Sequence, residues 1–329
     1  MAEIKPTVIS TFAGCGGSSL GYHLAGFKEL LAVEWDDNAA ATFKLNFPDV
    51  PLYHGDIAKL SVEECLARSG LRVGQLDVFD GSPPCQGFSV AGNRKFSDPR
   101  NGLFKEYARL LTGLQPKVFV MENVTGMIKG AMKQAYLKII SELRGCGYQA
   151  QGQVMNAMYY NVPQSRERVI IIGVRNDLGL QPSHPKPQLK PVSVGEAIKN
   201  APTDGLNGKY LELTGKTSEL IKILKPGQRM DNLYEQVHGK GKRAYFAFSR
   251  THPDKPSNTI TKDSCGLIHF KENRTLTVGE LKLVGSFSHN FKFIGTYSSA
   301  NQRIGNSVPP NLMKAIALHI KQEILAKSM

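Results

Sequence analysis

The sequence predicts an α/β fold, a mostly parallel sheet with helices on both faces, joined to a smaller, irregular, β-rich domain. Two observations predict it. Through the first half of the chain, short apolar runs rich in β-branched residues alternate with stretches of helical period, the pattern of strands connected by crossover helices. Near residue 181 the texture changes to proline-, glycine- and lysine-rich segments that contain few long apolar runs.

Residues 7–12 form the first expected strand, followed by a helix over 18–25 with Ser18 or Ser19 as its cap. A strand over 30–35 leads to a helix over 38–46, and a third strand ends at Gly55-Asp56-Ile57. Strand 76–80 precedes a helix over 103–114, and strand 118–122 precedes a helix over 132–143. Runs 151–157 and 168–174 are separated only by a short loop and read as an antiparallel hairpin at one sheet edge. Gln181-Pro182-Ser183-His184-Pro185-Lys186-Pro187 carries three prolines in seven residues and reads as a linker. Beyond it come short strands such as 245–248, and helical spacing returns over 311–324. The expected division is therefore a catalytic and cofactor-binding domain over 1–184, a second domain over 185–283, and a hinge and return to the first over 284–329.

Composition narrows the partners. Of 329 residues 41% are hydrophobic, enough for a sizeable core, yet no run approaches the ~18 apolar residues of a membrane span. The first residues lack a charged-then-apolar secretory pattern, so an intracellular, cytoplasmic protein is expected. Lys and Arg number 41 against 28 Asp and Glu, a net charge of +13 that suits a polyanion. Residues 185–272 hold 15 basic against 9 acidic residues, so part of that excess, +6, sits in the second domain. The five cysteines are an odd number without a C-x-x-C pair, which excludes a patterned zinc site or disulfide framework and leaves thiols that are either core filler or reactive.

Two turns carry chemistry. The first strand runs into Ala13-Gly14-Cys15-Gly16-Gly17-Ser18, where glycines let backbone approach a ligand at the carboxyl end of a strand. A strand-to-helix turn needs glycine on steric grounds alone, but Glu34 ends the next strand about 20 residues on, where an acid can bind ribose hydroxyls. Trp35 beside it offers a cofactor face, and Asp56 offers an acceptor for an exocyclic amine. The spacing is not the G-x-G-x-x-G of nicotinamide cofactors. In the second turn, Asp80-Gly81-Ser82-Pro83-Pro84-Cys85-Gln86, a rigid Pro-Pro holds Cys85 at the sheet's carboxyl edge rather than inside an apolar run, where a structural cysteine would sit. Glu122 ends the strand 118–122, and Gln164-Ser165-Arg166-Glu167-Arg168 opens an edge strand with two same-face arginines, whose plainer reading is a surface ion pair with Glu167.

The segment Phe12 to Gly17, Glu34-Trp35, Pro83-Pro84-Cys85-Gln86, Glu122-Asn123-Val124, Gln164 to Arg168, Arg274-Thr275-Leu276-Thr277 with Glu280, and Gln302 with Gly305-Asn306-Ser307-Val308 stand in the order of the DNA cytosine-5 methyltransferases, which the chain resembles over nearly its whole length. The single-chain prokaryotic type is the nearest in organisation. The resemblance implies the Rossmann-like fold of S-adenosylmethionine-dependent methyltransferases, S-adenosylmethionine as cofactor and S-adenosylhomocysteine as product. It implies Cys85, Glu122, Arg166 and Arg168 as catalytic residues, with Cys85 the nucleophile toward cytosine carbon 6, Glu122 on N3 and the exocyclic amine, Arg168 on O2, and Arg166 close by, a candidate to favour the thiolate. For the cofactor it implies Phe12, Gly14, Gly16, Gly17, Ser18, Leu20, Glu34, Trp35, Asp56, Ile57, Pro84, Leu103, Asn306, Ser307 and Val308.

The implied partner is double-stranded DNA, from which the target base is flipped out. Gln86, Ser89, Arg94 and Lys95 in a loop that closes over the nucleotide, and Lys240, Lys242, Arg243, Arg250 and Thr259 in the target-recognition region over 185–283, are the expected DNA contacts. A cognate restriction endonuclease is an expected functional partner, and a monomer the expected state. Two rivals are a transfer RNA methyltransferase of the same core, whose Cys-Phe-Thr signature is missing here, and a non-catalytic DNA-binding protein, against which Cys85 and Glu122 argue. One departure stands out: after Glu280 the family has Arg-Leu-Gln and later Phe-Pro, where this chain has Lys282-Leu283-Val284 and Phe287-Ser288.

Overall fold

The computed structural model describes residues 5–84, 101–188, 190–239, 248–262 and 266–328. The chain forms two compact units, the first from Met1–Met155, Glu167–Lys186 and Met313–Met329, the second from Asn156–Arg166 and Pro187–Leu312.

The first unit is built on seven strands, β1 (Thr7–Thr11), β2 (Lys28–Glu34), β3 (Leu52–His54), β4 (Val78–Gly81), β5 (Val118–Val124), β6 (Tyr148–Asn156) and β7 (Glu167–Arg175). Their order is β3-β2-β1-β4-β5-β7-β6, parallel from β3 through β5, with β7 antiparallel to β5. The chain winds outward from β1 in both directions, so the switch point, where α/β sheets open a crevice, lies between the carboxyl ends of β1 and β4. Parallel strands covered on both faces need nearly continuous apolar runs, and Val118-Phe119-Val120-Met121 in β5 are all fully buried. Helices α1 (Gly17–Leu24), α2 (Asp37–Asn46), α3 (Val62–Ser69), α4 (Asn101–Leu114) and α5 (Lys133–Gly145) follow the strands as the alternation predicts. Ile9, Leu31, Phe79, Tyr107, Leu110, Phe119 and Ile171 form part of one continuous core.

Two local expectations are corrected. Neither Ser18 nor Ser19 caps α1; the cap is Gly16 in the left-handed conformation, without a side-chain cap bond, and Ser19 lies inside the helix donating to Glu29 Oε1 at 2.8 Å. A Cβ on Gly16 would stand 2.3 Å from the Phe47 ring, so glycine is required there by crowding as well as by φ. The strand that opens after Arg166 is not at an edge: β7 lies between β5 and β6, which explains its run of buried Val169 to Ile172.

The second unit holds a small sheet of two short parallel strands, β8 (Ser249–Arg250) and β9 (Leu267–Ile268), among short helices and loops. Helices α6 (Val194–Ala197), α7 (Gly215–Ile223), α8 (Met230–His238), α9 (Val278–Val284) and α10 (Tyr297–Asn306) belong to it, and α11 (Pro310–His319) leads back to the first unit. Leu220, Ile221, Leu224, Met230, Leu233, Tyr234 and Ile268 make one of its cores. Thr277 and Glu280 form a reciprocal capping box at α9, and Arg274 grips both Glu280 oxygens at 2.7 and 2.9 Å. Lys282, where the resembled family has arginine, is buried on α9 and donates to Asn207 Oδ1, the His289 carbonyl and the Phe291 carbonyl at 3.1, 2.8 and 3.1 Å. Those bonds tie the helix to the loop that follows it and to Asn207.

Candidate active site

The carboxyl ends of β1, β2 and β3 converge on Glu34. Its Oε2 accepts the Gly14 amide at 2.7 Å, and its Oε1 accepts the amides of Trp35 and Asp36 at 2.9 and 2.8 Å, so the glycine turn is held to the end of β2 by one buried carboxylate. The turn begins with Phe12 at φ 54, a conformation unusual for an aromatic residue and of the kind found at ligand clamps. Gly14 follows at φ 58, and a Cβ placed there would meet nothing within 4 Å: open space lies directly against the backbone. Around this opening Trp35 is 76% exposed, and Asp56, which caps the short turn Ile57–Lys59 through the Ala58 amide, is exposed as well. A backbone cradle, a carboxylate, a free indole face and a second carboxylate are the donor set a nucleoside with an attached cation requires, so these residues fit S-adenosylmethionine.

At the neighbouring strand ends, β4 delivers Gly81 and the Ser82-Pro83-Pro84 turn. Gly81 tolerates no side chain, since its Cβ would stand 2.4 Å from Thr11 Oγ1 and 2.7 Å from the Tyr107 ring. Asn123 on β5 donates its side-chain amide to the Pro83 carbonyl at 3.0 Å and accepts from the Val124 amide at 2.9 Å. The turn leading to residue 85 is thereby pinned to the end of β5. One residue earlier, Glu122 is buried and its Oε1 meets Arg168 Nε of β7 at 2.9 Å. Val124 is the register partner of Arg168, so the pair is a diagonal cross-strand contact on one sheet face. Arg168 also donates to the Glu167 carbonyl at 2.7 Å; the ion pair is with Glu122, not with Glu167.

Arg166 does something else. It is 2% exposed and donates to the carbonyls of Ile260, Gly305 and Ser307 at 3.1, 2.8 and 3.1 Å, all within the second unit. Thr259 Oγ1 donates to the Ser165 carbonyl at 2.8 Å, and Gln164 Oε1 accepts the Ile260 amide at 3.0 Å. Three segments distant in sequence, 164–166, 257–261 and 305–307, are thus knitted together by one guanidinium and its neighbours. Gly305 allows this approach, because a Cβ would meet the Thr261 carbonyl at 2.5 Å. Arg166 is therefore a joint of the second unit, committed to carbonyl oxygens.

The match to protein families was decisive. A family model for the C-5 cytosine-specific DNA methylases matches residues 6–322. The chain belongs to that family. It is 37% identical over 327 residues to the Type II methyltransferase M1.HphI of Haemophilus parahaemolyticus, covering 94% of this chain and 85% of that one. It is 33% identical to the Type II methyltransferase M.NgoFVII of Neisseria gonorrhoeae, covering 96% and 86%. In fold it is similar to a protein described as a DNA modification methyltransferase encoded within an E. coli prophage, with a TM-score of 0.78 at 24% identity over 96% of this chain and 99% of that one. The activity of this chain is C-5 methylation of cytosine in DNA.

In this methyltransferase, Cys85, Gln86, Ser89, Arg94, Lys95, Lys240, Lys242 and Arg243 lie outside the described residues. Glu34, Trp35, Asp56, Ile57, Phe12, Gly14, Gly16 and Gly17 gather at adjoining strand ends in the first unit, with Leu20 on α1, Pro84 at the end of the β4 turn and Leu103 on α4 packed against its core. Asn306, Ser307 and Val308 belong to the second unit. Arg250, expected to contact DNA, is instead 5% exposed: its guanidinium donates to the carbonyls of His269, Glu272 and Ile221 and to Asn273 Oδ1 at 3.0, 3.1, 2.5 and 2.6 Å. A side chain so enclosed has no face for a phosphate. Sequence reasoning passed over Asn123, although it stands next to Glu122 in a quoted motif, because only the fold shows Pro83 within its reach. Among the described cysteines, Cys65 is fully buried and desolvation pushes its thiol up to about 11, an inert structural role.

Proposed function

We propose that this chain is an S-adenosylmethionine-dependent enzyme that flips cytosine out of duplex DNA and methylates carbon 5 through Cys85. The observation that carries the reading is the pinning of the Pro83-Pro84 turn by Asn123, the residue after the buried Glu122 of the Glu122–Arg168 pair, because it supports a site in which the turn leading into Cys85, an acid and a guanidinium are held at neighbouring strand ends. Bound S-adenosylmethionine supplies a methyl group on a sulfonium. Glu34 would hold the ribose, Asp56 the adenine amine, Phe12 and Ile57 the ring faces, and Trp35 the sulfonium side.

Carbon 5 of cytosine is too electron-poor to take up a methyl cation unaided. The Cys85 thiolate adds to carbon 6, the ring electrons move to carbon 5, and that carbon becomes the nucleophile. Glu122, held by Arg168 Nε, faces N3 and the exocyclic amine and supplies a proton as charge builds on the ring, an acid–base contribution of about 10²–10⁴ in rate. Arg168 holds O2. After transfer a base removes the carbon 5 proton and elimination re-forms the double bond and releases the Cys85 thiolate. Flipping costs a few kcal/mol of unstacking, offset by contacts from the loop holding Gln86, Ser89, Arg94 and Lys95 and from Lys240, Lys242 and Arg243 of the basic second unit. Acting in a bacterial cytoplasm as a monomer beside a cognate endonuclease is part of the same reading, since relatives carry Type II names.

The test is methyl transfer from labelled cofactor to mixed-sequence duplex DNA, followed by bisulfite sequencing. Labelled 5-methylcytosine in one sequence context, abolished by Cys85→Ser, is expected; transfer that survives Cys85→Ser overturns the assignment. DNA whose target cytosine carries fluorine at carbon 5 cannot complete elimination and should stay covalently bound to the wild type alone.

A further inference from the structure

Beneath α1 the first unit encloses a polar cluster that the mechanism above does not use. Asp80, in β4 and five residues before Cys85, is 3% exposed. Its carboxyl accepts from Tyr22 Oη at 3.3 Å and is hydrogen-bonded to the Ser18 side chain, both on α1. Its own carbonyl accepts from Thr11 Oγ1 at 3.0 Å, at the last position of β1. Thr11 immediately precedes the glycine turn over 12–17 and Ser18 immediately follows it, so one residue of the nucleophile's strand holds both ends of the cofactor turn.

The charges around this carboxyl are mostly of its own sign. Glu29 of β2 is buried beside it, held by Ser19 at 2.8 Å and facing His23 Nε2 at 3.5 Å. Glu122 of β5, itself paired with Arg168 of β7, acts on it from the other side. Tyr107 of α4 and Tyr22 of α1 are fully buried phenols kept neutral by desolvation, and Ser10 of β1, its register partner, is a buried neutral hydroxyl. No cation touches Asp80 among the described residues. Burial first, then Glu29, drives its carboxyl up to about 8, so at neutral pH it carries its proton.

We propose that Asp80 is a positioning residue of the methyl-transfer reaction: its side chain holds α1 through Ser18 and Tyr22 and its main-chain carbonyl holds Thr11, so both ends of the cofactor turn are tied to the strand that leads to Cys85. Without that carboxyl, Ser18 and Tyr22 lose their shared acceptor, and the turn over 12–17 is held to β4 only through the Thr11 bond to the Asp80 main chain. The inference rests on the reading of that turn as the cofactor site.

The test is equilibrium binding of S-adenosylhomocysteine at pH 7 by the wild type, Asp80→Leu, Asp80→Asn and Tyr22→Phe, with thermal melting of each as the check on folding. Asp80→Leu removes the acceptor of Ser18 and Tyr22 and should weaken binding about tenfold, whereas Asp80→Asn keeps a side-chain oxygen and should bind within about twofold of the wild type. Tyr22→Phe removes one donor and almost no volume and should weaken binding about threefold. Asp80→Leu and Tyr22→Phe binding as the wild type does, or Asp80→Asn losing as much affinity as Asp80→Leu, overturns the proposal while leaving the cofactor site standing; absence of binding by the wild type overturns the cofactor reading and this proposal with it.

Discussion

Replacing Arg250 by methionine separates two accounts of a basic residue in the second unit. The substitution keeps most of the apolar stem and removes the guanidinium. Four acceptors lose their donor, of which the His269 and Ile221 carbonyls are in fully buried bonds and the Glu272 carbonyl and Asn273 amide oxygen in partly buried ones. A buried acceptor left without a partner costs about 1–3 kcal/mol, and the partly buried pair can be rehydrated, so the loss is about 4 kcal/mol. Spread over a unit of this size, that lowers the melting temperature by roughly 10 °C. Thermal unfolding measures it directly. The phosphate-contact account predicts the reverse pattern: unchanged melting, with the slope of log affinity against log salt reduced by about 0.9 between 50 and 200 mM. A variant that melts like the wild type and has the shallower slope would refute the burial argument.

Three further outcomes are expected. Glu122→Gln should lower methyl transfer by about 10²–10⁴ while S-adenosylhomocysteine affinity stays within about twofold, as the proposed role of Glu122 on the base requires; loss of both would move Glu122 into the cofactor site. Asp80→Asn should change the pH dependence of stability in a calculable way. The folded carboxyl titrates at about 8 and an unfolded one at about 3.9, so between those values the unfolded chain has shed a proton that the folded one keeps. The wild type therefore loses about 1.4 kcal/mol per pH unit from this group until the folded value is reached, and nothing more above it. Urea titrations should show the variant gaining on the wild type through pH 5–7 and levelling near 8, and a flat difference would show Asp80 ionised in the fold. Lys282→Ala strands three acceptors around an ammonium that burial makes easier to deprotonate, and should destabilise the second unit by about 2–4 kcal/mol in urea, with DNA salt dependence unchanged.

Much of the candidate site was legible because it depends on short-range backbone chemistry. A glycine turn after a β-branched run, an acid at the end of the next strand and a Pro-Pro before a cysteine each restrict the local chain whatever surrounds them; the fold adds that Glu34, expected at a ribose, also receives the Gly14 amide. Strand spacing was equally legible: the uninterrupted apolar run Val118 to Met121 can only be a strand buried on both faces. Arginines were harder. Arg166 and Arg168 were expected together at the cytosine and Arg250 at DNA, and nothing in the sequence shows which guanidinium is enclosed. Their burial and partners set them apart.

The sequence by itself determined the order of the elements, the two turns at the strand ends and the family, because these follow from periodicity, from residues with restricted or permissive φ, and from motif order. Tertiary structure alone decided where each charged side chain was spent. Arg168 meets Glu122 because β7 enters the sheet beside β5; Arg166 and Arg250 are used up on carbonyls inside the second unit; Asp80 keeps its proton because it is buried and faces like charge from β2 and β5. The physical reason is common to all four: an ionisable group's role depends on its distance from water and from other charges, and those distances are set between residues far apart in the chain.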